Sequence, residues 1–456
     1  MTVAWYLLWF IIAVGLLVTV HEFGHFWVAR LLGFKVLRFS VGFGKPLLKR
    51  VAGADRTEYV IAAVPLGGYV KLLDEREAPV AEAELPRSFT RRPHWQRIAV
   101  LLAGPVFNVL FAVALLWGML WMGGVTELRP KIGQVTVGSL AATAGLRPGD
   151  EIRTVDGAPV TGQRDVIFGL LDAVSGAGRV TLGVRGDDGE TRAVTLSVPD
   201  AAERRHLTEP AELFRGLGFQ FWQPSGPPVL ARVLPDGPAA RAGLMAGDRI
   251  VAINGVPMND FQDLLDYINA RPGERISVDY RRGDGVHSAT LEVASDQEGS
   301  RRIGRIRVEG QAPRYPDSML LHTDLNPVSA LGRAGEEAWS LTVFQARLFW
   351  RMLIGRVSLK NLSGPLSIAQ FAGESAHAGT ASFLSTLVLL SLSLGFLNLL
   401  PIPILDGGQI VFQVVEWLKG SPLSERAQVL GQQVGIALLI VLMGVALYND
   451  IARQFS

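Results

Sequence analysis

The sequence contains no cysteine among its 456 residues. This absence excludes disulfide bonds, thiolate metal ligands and cysteine nucleophiles, so any bound metal must be held by histidine, aspartate or glutamate. Charge is also scarce, since 19% of the residues are charged, 49% are hydrophobic and the formal net charge is +2. No dense Lys/Arg tract interleaved with aromatic residues is present, so nucleic acid is not an expected partner. This composition is typical of a membrane protein, and the length allows about three domains.

Charged residues are missing altogether from four long segments, which are 1–20, 98–125, 378–405 and 427–449. Twenty helical residues at about 1.5 Å each cover about 30 Å, the thickness of the hydrocarbon core of a bilayer. The pattern therefore predicts four transmembrane helices that contact the lipid bilayer. A cleaved signal peptide at the start of the chain would need a basic beginning and a small-residue cleavage site, and neither is present.

The loop between the first two segments is basic, because six basic and no acidic residues lie between Arg30 and Arg50. By the positive-inside rule this loop is expected on the cytoplasmic side, and the residues after the second segment are expected outside. Two glycine-broken apolar runs in the loop, 37–44 and 59–72, predict β-strands. These strands form either an ordinary hairpin domain or a sheet that dips into the bilayer and offers an edge to an extended substrate.

Residues from about 127 to 310 are polar and contain an internal repeat. The stretch AGLRPGD at 144–150 matches AGLMAGD at 242–248, and the offset stays at 98 residues further along both copies. Such a period fits a duplicated domain of about 100 residues. The pattern resembles bacterial PDZ domains, which are small β-barrels that take a peptide as an added strand. We expect PDZ-like domains at 127–214 and 215–310.

A glycine-rich motif, Gly216, Leu217, Gly218 and Phe219, resembles the carboxylate-binding loop of PDZ domains. It lies ahead of the second copy, so we assign it to that domain and expect the domain to bind peptide C-termini. No comparable motif precedes the first copy, whose role is either peptide binding by other means or steric exclusion. A plain surface turn is the alternative for the motif.

The chemistry is concentrated in an H-E-x-x-H motif formed by His21, Glu22 and His25 at the end of the first segment. On a helix, two histidines four residues apart lie on one face and can bind one metal ion. Glu22 lies beside that face and can hold or deprotonate a water at the metal. A chance match is rare with seven histidines in the chain, and ionisable groups in membrane segments are usually functional.

Two histidines leave a catalytic zinc one protein ligand short. The candidates for the third ligand are His94, His377 and Asp406. His94 lies in a basic stretch typical of the headgroup level, and His377 begins the third segment at its far end. Asp406 follows the third segment and arrives level with His21, so it is the expected ligand, with a solvated loop aspartate as the alternative.

The connector 311–377 contains a helical pattern over about 334–355 that is interrupted by charges, and a helix lying in the membrane interface is expected there. Its basic residues Arg347, Arg351 and Arg356 favour the cytoplasmic side, which conflicts with the expected outside location. A fifth span would remove the conflict, but it would place Asp406 and His21 on opposite sides. The metal site therefore favours four spans.

The H-E-x-x-H motif together with N-x-x-P-x-P-x-x-D-G, from Asn398 to Gly407, resembles the site-2 protease family of intramembrane zinc metalloproteases. Two PDZ-like domains between the second and third spans are similar to the branch that regulates sigma-E in Gram-negative bacteria. The stretches GFG at 42–44 and NLSGP at 361–365 are also similar to that branch.

The resemblance implies an endopeptidase that cleaves the transmembrane segments of single-span membrane proteins, such as anti-sigma factors and signal-peptide remnants, after their outer domains have been trimmed. It implies one Zn²⁺ bound by His21, His25 and Asp406, with Glu22 as the general base. Asn398 would bind the substrate backbone or instead satisfy carbonyls near the prolines. Further substrate contacts are expected from Pro401, Gly42, Phe43 and Gly44, and from Gly216, Leu217, Gly218 and Phe219.

The expected fold is a polytopic α-helical membrane protein of the bacterial inner membrane, with four transmembrane helices. A cytoplasmic-side, membrane-associated β region and two periplasmic PDZ-like domains complete it. The expected boundaries are 1–126, 127–214, 215–310, 311–377 and 378–456. A competing interpretation is a non-hydrolytic membrane receptor or chaperone that binds peptide C-termini, but it gives no role to Glu22 or Asp406. A transporter is a weaker one, because only the last half shows a broken helix clearly.

Overall fold

The computed structural model describes residues 3–209, 211–224, 226–298, 301–311 and 315–455. The chain begins with helix α1 (Val3–Leu31), followed by strands β1 (Val36–Ala52) and β2 (Thr57–Leu72) and by helix α2 (His94–Gly123). β1 and β2 form one twisted sheet that packs against the end of α1 through a cluster containing Phe26, Phe34 and Val36. Strand β3 (Val125–Leu128) then leaves the end of α2.

The first inserted unit folds around its own core. Its elements are β4 (Ile132–Val135), α3 (Leu140–Thr143), β5 (Glu151–Val155), β6 (Ala158–Pro159), α4 (Gln163–Ser175), β7 (Arg179–Arg185), β8 (Thr191–Ser197), α5 (Ala201–Leu207), α6 (Glu212–Leu217) and β9 (Phe219–Phe221). Strands β6, β5, β7 and β8 form a four-stranded sheet in that order, and β4 pairs with β9. The alternating apolar residues of β7 and β8 point into a core of Ile, Leu and Val side chains.

The second inserted unit repeats this architecture. Its elements are β10 (Leu230–Val233), α7 (Pro238–Arg241), β11 (Arg249–Ile253), β12 (Val256–Pro257), α8 (Phe261–Asn269), β13 (Arg275–Arg282), β14 (Gly285–Glu292), β15 (Ala294–Glu298), β16 (Arg301–Arg305) and β17 (Val308–Gly310). The sheet order β12-β11-β13-β14 matches that of the first unit, and β10 pairs with β17 as β4 pairs with β9. The hairpin β15–β16 is an addition with no counterpart among the strands of the first unit.

The chain returns through β18 (Leu320–Thr323), which pairs with β3, so the two units are inserted between neighbouring strands. The remaining helices are α9 (Pro327–Leu353), α10 (Pro365–Ala378), α11 (Thr380–Asn398), α12 (Asp406–Lys419) and α13 (Glu425–Phe455). Helix α9 buries Ala330, Ala334 and Ala338 against α2, and α10 packs along α1. The helix expected over 334–355 is therefore the greater part of α9, which ends at Leu353.

Four of the described helices are long and apolar enough to cross a membrane, namely Val3–Leu31, His94–Gly123, Thr380–Asn398 and Glu425–Arg453. This confirms the four predicted spans, although the third helix ends at Asn398 rather than near 405. The shortening has a local cause, because Pro401 and Pro403 lack the amide hydrogens that a continuing helix needs.

The boundary expected after residue 214 lies inside the first unit. Strand β9 pairs with β4 through Val135 and Phe219, and Leu217 and Phe219 are buried in the first core. The glycine-rich motif therefore belongs to the first unit, and its assignment to the second one was wrong. Each unit ends with the strand that pairs with its first strand, so the motif closes the first copy instead of opening the second.

The second unit contains an equivalent loop, although the sequence of that loop does not match the glycine-rich motif. The Leu234 amide donates to the Arg307 carbonyl at 3.1 Å, as the Thr136 amide donates to the Gly218 carbonyl at 2.8 Å. Arg307 has φ of 60° and Gly218 has φ of 79°, so both occupy the left-handed region. Because arginine replaces glycine there, the motif cannot be recognised from residue types in the second copy.

Two basic residues of α9, Arg347 and Arg351, have protein partners in the first unit. Arg351 Nη1 donates to the Asp172 carbonyl at 2.7 Å, to Asp172 Oδ1 at 2.9 Å and to Ser175 Oγ at 2.7 Å. It thus caps the carboxyl end of α4, where the helix dipole favours a cation. The Phe168 and Phe344 rings stack beside it at 4.3 Å between centroids. Arg347 and Arg351, two of the three arginines behind the conflict with four spans, thus pair with Asp172 of the first unit.

Replacing Arg351 by methionine should loosen the first unit from α9, because three charge-assisted hydrogen bonds at the end of α4 are lost. We expect a cost of about 1.5–3 kcal/mol, seen as faster amide hydrogen exchange in the last turn of α4. Arg347→Met is the matched control, since the Arg347 side chain is 51% exposed and contacts Asp172 only at 3.1 Å. That control should cost about 1 kcal/mol or less. Equal exchange in both variants would contradict this account of the docking.

Candidate metal centre

Three potential metal ligands from the two ends of the chain meet beside the end of α1. His21 Nε2 and His25 Nε2 lie 3.1 and 3.5 Å from Asp406 Oδ2, and the two ring nitrogens lie 3.2 Å apart. No other group of three histidine or acidic side chains that could hold a metal occurs in the described ranges. The structure thus brings together the three ligands that the sequence predicts, and neither His94 nor His377 joins them.

Hydrogen bonds on the far side of each imidazole orient both rings. His25 Nδ1 donates to the Val100 carbonyl at 2.7 Å, which leaves a lone pair on Nε2. His21 Nδ1 lies 3.2 Å from the Asn108 amide group, whose oxygen is buried and has no other partner. With the amide oxygen turned toward the ring, His21 Nδ1 donates to it and Nε2 is again free for a metal. Asn108 is not among the site residues that the sequence predicts.

The arrangement fits a zinc ion. Asp406 Oδ2 is buried without a hydrogen-bond partner, although two imidazole nitrogens lie close to it. Ligand atoms 2.0–2.2 Å from a tetrahedral zinc lie about 3.3 Å apart. The separations of 3.1–3.5 Å agree with this value.

Glycines allow the helices to approach closely enough to build the centre. A Cβ atom on Gly104 of α2 would overlap His25 Nε2 and lie 2.7 Å from His21 Cε1. A Cβ atom on Gly24 of α1 would lie 2.9 Å from Phe107 Cβ. The backbone of α2 therefore forms one wall of the centre, and any larger residue at position 104 would displace the imidazoles.

A tight turn delivers Asp406 to this wall. Residues 399–405 fold back over the first turn of α12, and Gln409 Nε2 donates to the Pro403 carbonyl at 2.6 Å. A Cβ atom on Gly407 would lie 2.5 Å from the Leu400 carbonyl oxygen, and one on Gly408 would lie 2.5 Å from Pro403 Cα. The D-G-G sequence is thus required by the close approach of the turn to its own helix.

A cleft of about 930 Å³ opens onto the three ligands and is lined by both ends of the chain. Glu22 lies in its wall and is 9% exposed. Asn398 and Phe43 also line the cleft, whereas Pro401, Gly42 and Gly44 are not among its lining residues. The predicted substrate contacts are therefore only partly brought to the centre.

The strand that faces the cleft is the last part of β2, which residue types alone did not reveal. The first half of β1 lies next to this last part of β2 in the sheet, where Val41 pairs with Gly68. On its other side, the first half of β1 pairs with residues 58–61. Residues 67–72 all line the cleft as the outer strand of the sheet. A Cβ atom on Gly68 would lie 2.8 Å from Glu22 Cγ, so glycine lets this strand lie against the glutamate. The Gly-Gly pair at 67–68 was the available signal.

Replacing Gly104 by alanine should displace both imidazoles, because the added methyl group has no room beside them. An overpacking cost of about 1–3 kcal/mol is expected at such a position. If this cost destabilises the zinc-bound protein more than the zinc-free protein, the zinc affinity should drop roughly tenfold or more. The affinity is measured by chelator competition on purified protein. Gly118→Ala on the same helix is the control, since nothing lies within 4 Å of its Cβ position. Wild-type affinity in Gly104→Ala would refute this geometry.

Comparisons with known proteins agree with the geometry. Residues 9–442 match the model of peptidase family M50. The regulator of sigma-E protease RseP of Escherichia coli K12 is 38% identical over 450 residues, covering 98% of this chain and 99% of that protein. Protease RseP of Yersinia pestis is 40% identical over 458 residues, covering 99% of this chain and 100% of that protein.

Among solved structures, the PDZ domain of an SdrC-like protein from Listeria monocytogenes is 26% identical, covering 20% of this chain and 92% of that chain with a TM-score of 0.17. The family match spans both ligand-bearing ends of the chain, and the RseP relatives match it over almost its whole length. The chain therefore belongs to peptidase family M50, the site-2 proteases, and is an RseP-like zinc metalloprotease of the membrane.

Proposed function

We propose that this protease cuts transmembrane segments of single-span membrane proteins at the centre formed by His21, His25 and Asp406. The observation that carries the proposal is the meeting of three metal ligands with Glu22 and an outer β-strand in one cleft. His21 and His25 lie on the first apolar helix, and Asp406 follows the turn after the third one, so the reaction would take place close to the membrane. Anti-sigma factors and signal-peptide remnants are the expected substrates.

The roles of the residues follow from their positions. A bound zinc ion would supply Lewis acidity to the carbonyl under attack. Glu22 would take the proton of the attacking water and later deliver it to the leaving amine. Its side chain lies against Gly68 of the outer strand and lines the cleft. Asn398 lines the same cleft and would donate to the substrate backbone or to the developing oxyanion.

Strand 68–72 would hold the substrate in an extended form. The peptide bonds of a helix are shielded by internal hydrogen bonds, so a transmembrane substrate must unwind before it can be cut. An unwound segment can pair with an outer strand by β-augmentation. Pairing along 68–72 would place its backbone beside Glu22, since a Cβ atom on Gly68 would lie 2.8 Å from Glu22 Cγ. Exposed apolar residues of the sheet, Phe43, Leu47, Leu48 and Val64, suit contact with lipid at this level.

The two inserted units would control access from the other end of the helices, in the periplasm. Both are attached through β3 and β18 at the end of α2, and the first is docked on α9. In the second unit a groove of about 460 Å³ runs between α8 and residues 303–308, lined by Leu264, Ile268 and Ile306. This groove suits a peptide C-terminus, as a trimmed substrate would expose. A bulky outer domain would be kept out by the units themselves.

Replacing Glu22 by glutamine should abolish cleavage while the protein remains folded and zinc-loaded. We expect a loss of about 10²–10⁴-fold in the cleavage rate, because the glutamine cannot accept the proton of the attacking water. The assay is cleavage of a trimmed single-span substrate co-expressed with each variant, with zinc content measured on the purified protein. Glu374→Gln, at an exposed position of α10, is the control. Cleavage by Glu22→Gln would instead favour a binding role.

Removing the two units should allow untrimmed substrates to be cut. Because Leu128 pairs with Leu320, residues 129–319 can be replaced by an Asn-Gly turn that joins β3 to β18 as a hairpin. The shortened protein should cut trimmed and untrimmed substrates at similar rates, whereas the intact protein should prefer the trimmed one. Both proteins should cut the trimmed substrate about equally. Retained preference for the trimmed substrate after deletion would end the access proposal.

A further inference from the structure

Helix α12 presents polar residues to the protein and apolar residues outward. Gln413 and Glu416 are 6% and 5% exposed, whereas Val411, Trp417 and Leu418 are 43%, 57% and 83% exposed. A buried glutamate is costly unless it has a partner. The mechanism proposed above uses neither Gln413 nor Glu416, so their burial needs another explanation.

The partner is Arg97, which lies in the first turns of α2. Its Nη1 donates to Gln413 Oε1 at 3.0 Å and lies 3.7 Å from Glu416 Oε2. Its Nε donates to the Arg92 carbonyl at 2.8 Å, and its Nη2 donates to the Thr90 carbonyl. The Arg97 side chain is 13% exposed, so this bridge is shielded from water. The guanidinium is fixed by its own loop and offers α12 one docking orientation.

Glu416 is also held from its other side. Its Oε1 accepts the Leu423 amide at 3.0 Å and lies 3.4 Å from Gln428 Nε2. The carboxylate therefore joins the start of α2 to the turn between α12 and α13. Rotating α12 about its axis would break these contacts together and leave charged groups buried without partners.

Gln413, one of the two α12 residues that contact Arg97, lies on the same stripe of α12 as Asp406. Asp406 and Gln413 are seven residues apart, so their directions differ by about 20° around the helix axis. On α2, Gly104 and Asn108 likewise lie on the same face of the helix as Arg97. Those residues lie against the two histidine rings. One face of α2 thus contacts both the histidines and the helix that begins with Asp406.

We propose that Arg97, acting through Gln413 and Glu416, is a positioning residue that fixes the rotation of α12 and thereby directs the Asp406 carboxylate at the metal. The inference rests on the proposed zinc site. It assigns a function to a buried ion pair about two helical turns away from the ligands.

The first test measures zinc affinity by chelator competition on purified full-length protein. Arg97→Met keeps most of the side-chain length but removes the charge, and Glu416→Gln keeps the shape of the partner. Residues that orient metal ligands typically change affinity by about 10–100-fold, and we expect a loss in that range for both variants. Arg97→Lys should restore part of the affinity. Arg91→Met is the matched control, since Arg91 pairs with Glu75 and is 58% exposed.

The second test measures the position of α12 directly and without metal. The chain has no cysteine, so spin labels can be placed cleanly on cysteines introduced at Trp95 and Leu418. Both positions are exposed, at 54% and 83%. The distance between the labels should have one narrow distribution in the parent protein. It should broaden or shift in Glu416→Gln and Arg97→Met, in the presence and in the absence of zinc.

The outcomes separate the inference from the proposed function. A parent protein that binds no zinc would refute the proposed site, whatever the variants do. A parent that binds zinc, together with a Glu416→Gln variant of equal affinity and unchanged label distance, would overturn the positioning role. A lower melting temperature with unchanged affinity and distance would also overturn it, because the bridge would then be only structural. If Arg97→Met fails to fold, Glu416→Gln decides.

Discussion

One face of α2 holds the parts of the metal centre in place. The Val100 carbonyl accepts the hydrogen of one histidine ring, Asn108 contacts the other, and Gly104 leaves room for both. The ligands come from the first and the third membrane helix regions, so neither region can form the site alone. A third helix that contacts both is therefore a physical requirement. Any change that moves α2 relative to α1 would be felt directly at the ligand atoms, because packed interiors transmit small displacements.

This dependence explains how the rest of the chain is arranged. The two inserted units enter and leave through a single pair of strands, β3 and β18, so a large insertion does not disturb the helices that carry the ligands. The first unit is fixed to α9 by Arg351, and α9 in turn packs on α2 through Ala330 and Ala334. A continuous set of contacts thus joins the units to the helix that supports the centre. Such continuity would let the position of the first unit affect the site.

The sequence predicted the features that depend on local pattern. Uncharged runs located four spans, the spacing of His21 and His25 placed them on one face, and membrane side then selected Asp406. Pairing between distant segments could not be predicted in this way. Strand 68–72 lines the cleft where the sequence led us to expect residues 42–44. The order of strands in a sheet depends on which strand edges pair, and composition does not determine that pairing. Because Arg307 takes the place of glycine, residue types could not identify the second loop. The arginines of α9 favoured the cytoplasmic side, since their partner Asp172 lies far away in the sequence.

The account depends on two imidazoles and one carboxylate binding a single metal ion. X-ray absorption spectroscopy of the zinc-loaded protein tests this most directly, compared with Asp406→Ala prepared in the same way. We predict two imidazole nitrogens, with oxygen donors completing the shell at about 2.0–2.2 Å, and much weaker zinc binding in Asp406→Ala. A third imidazole in the first shell, or an unchanged shell and affinity in Asp406→Ala, would contradict the account.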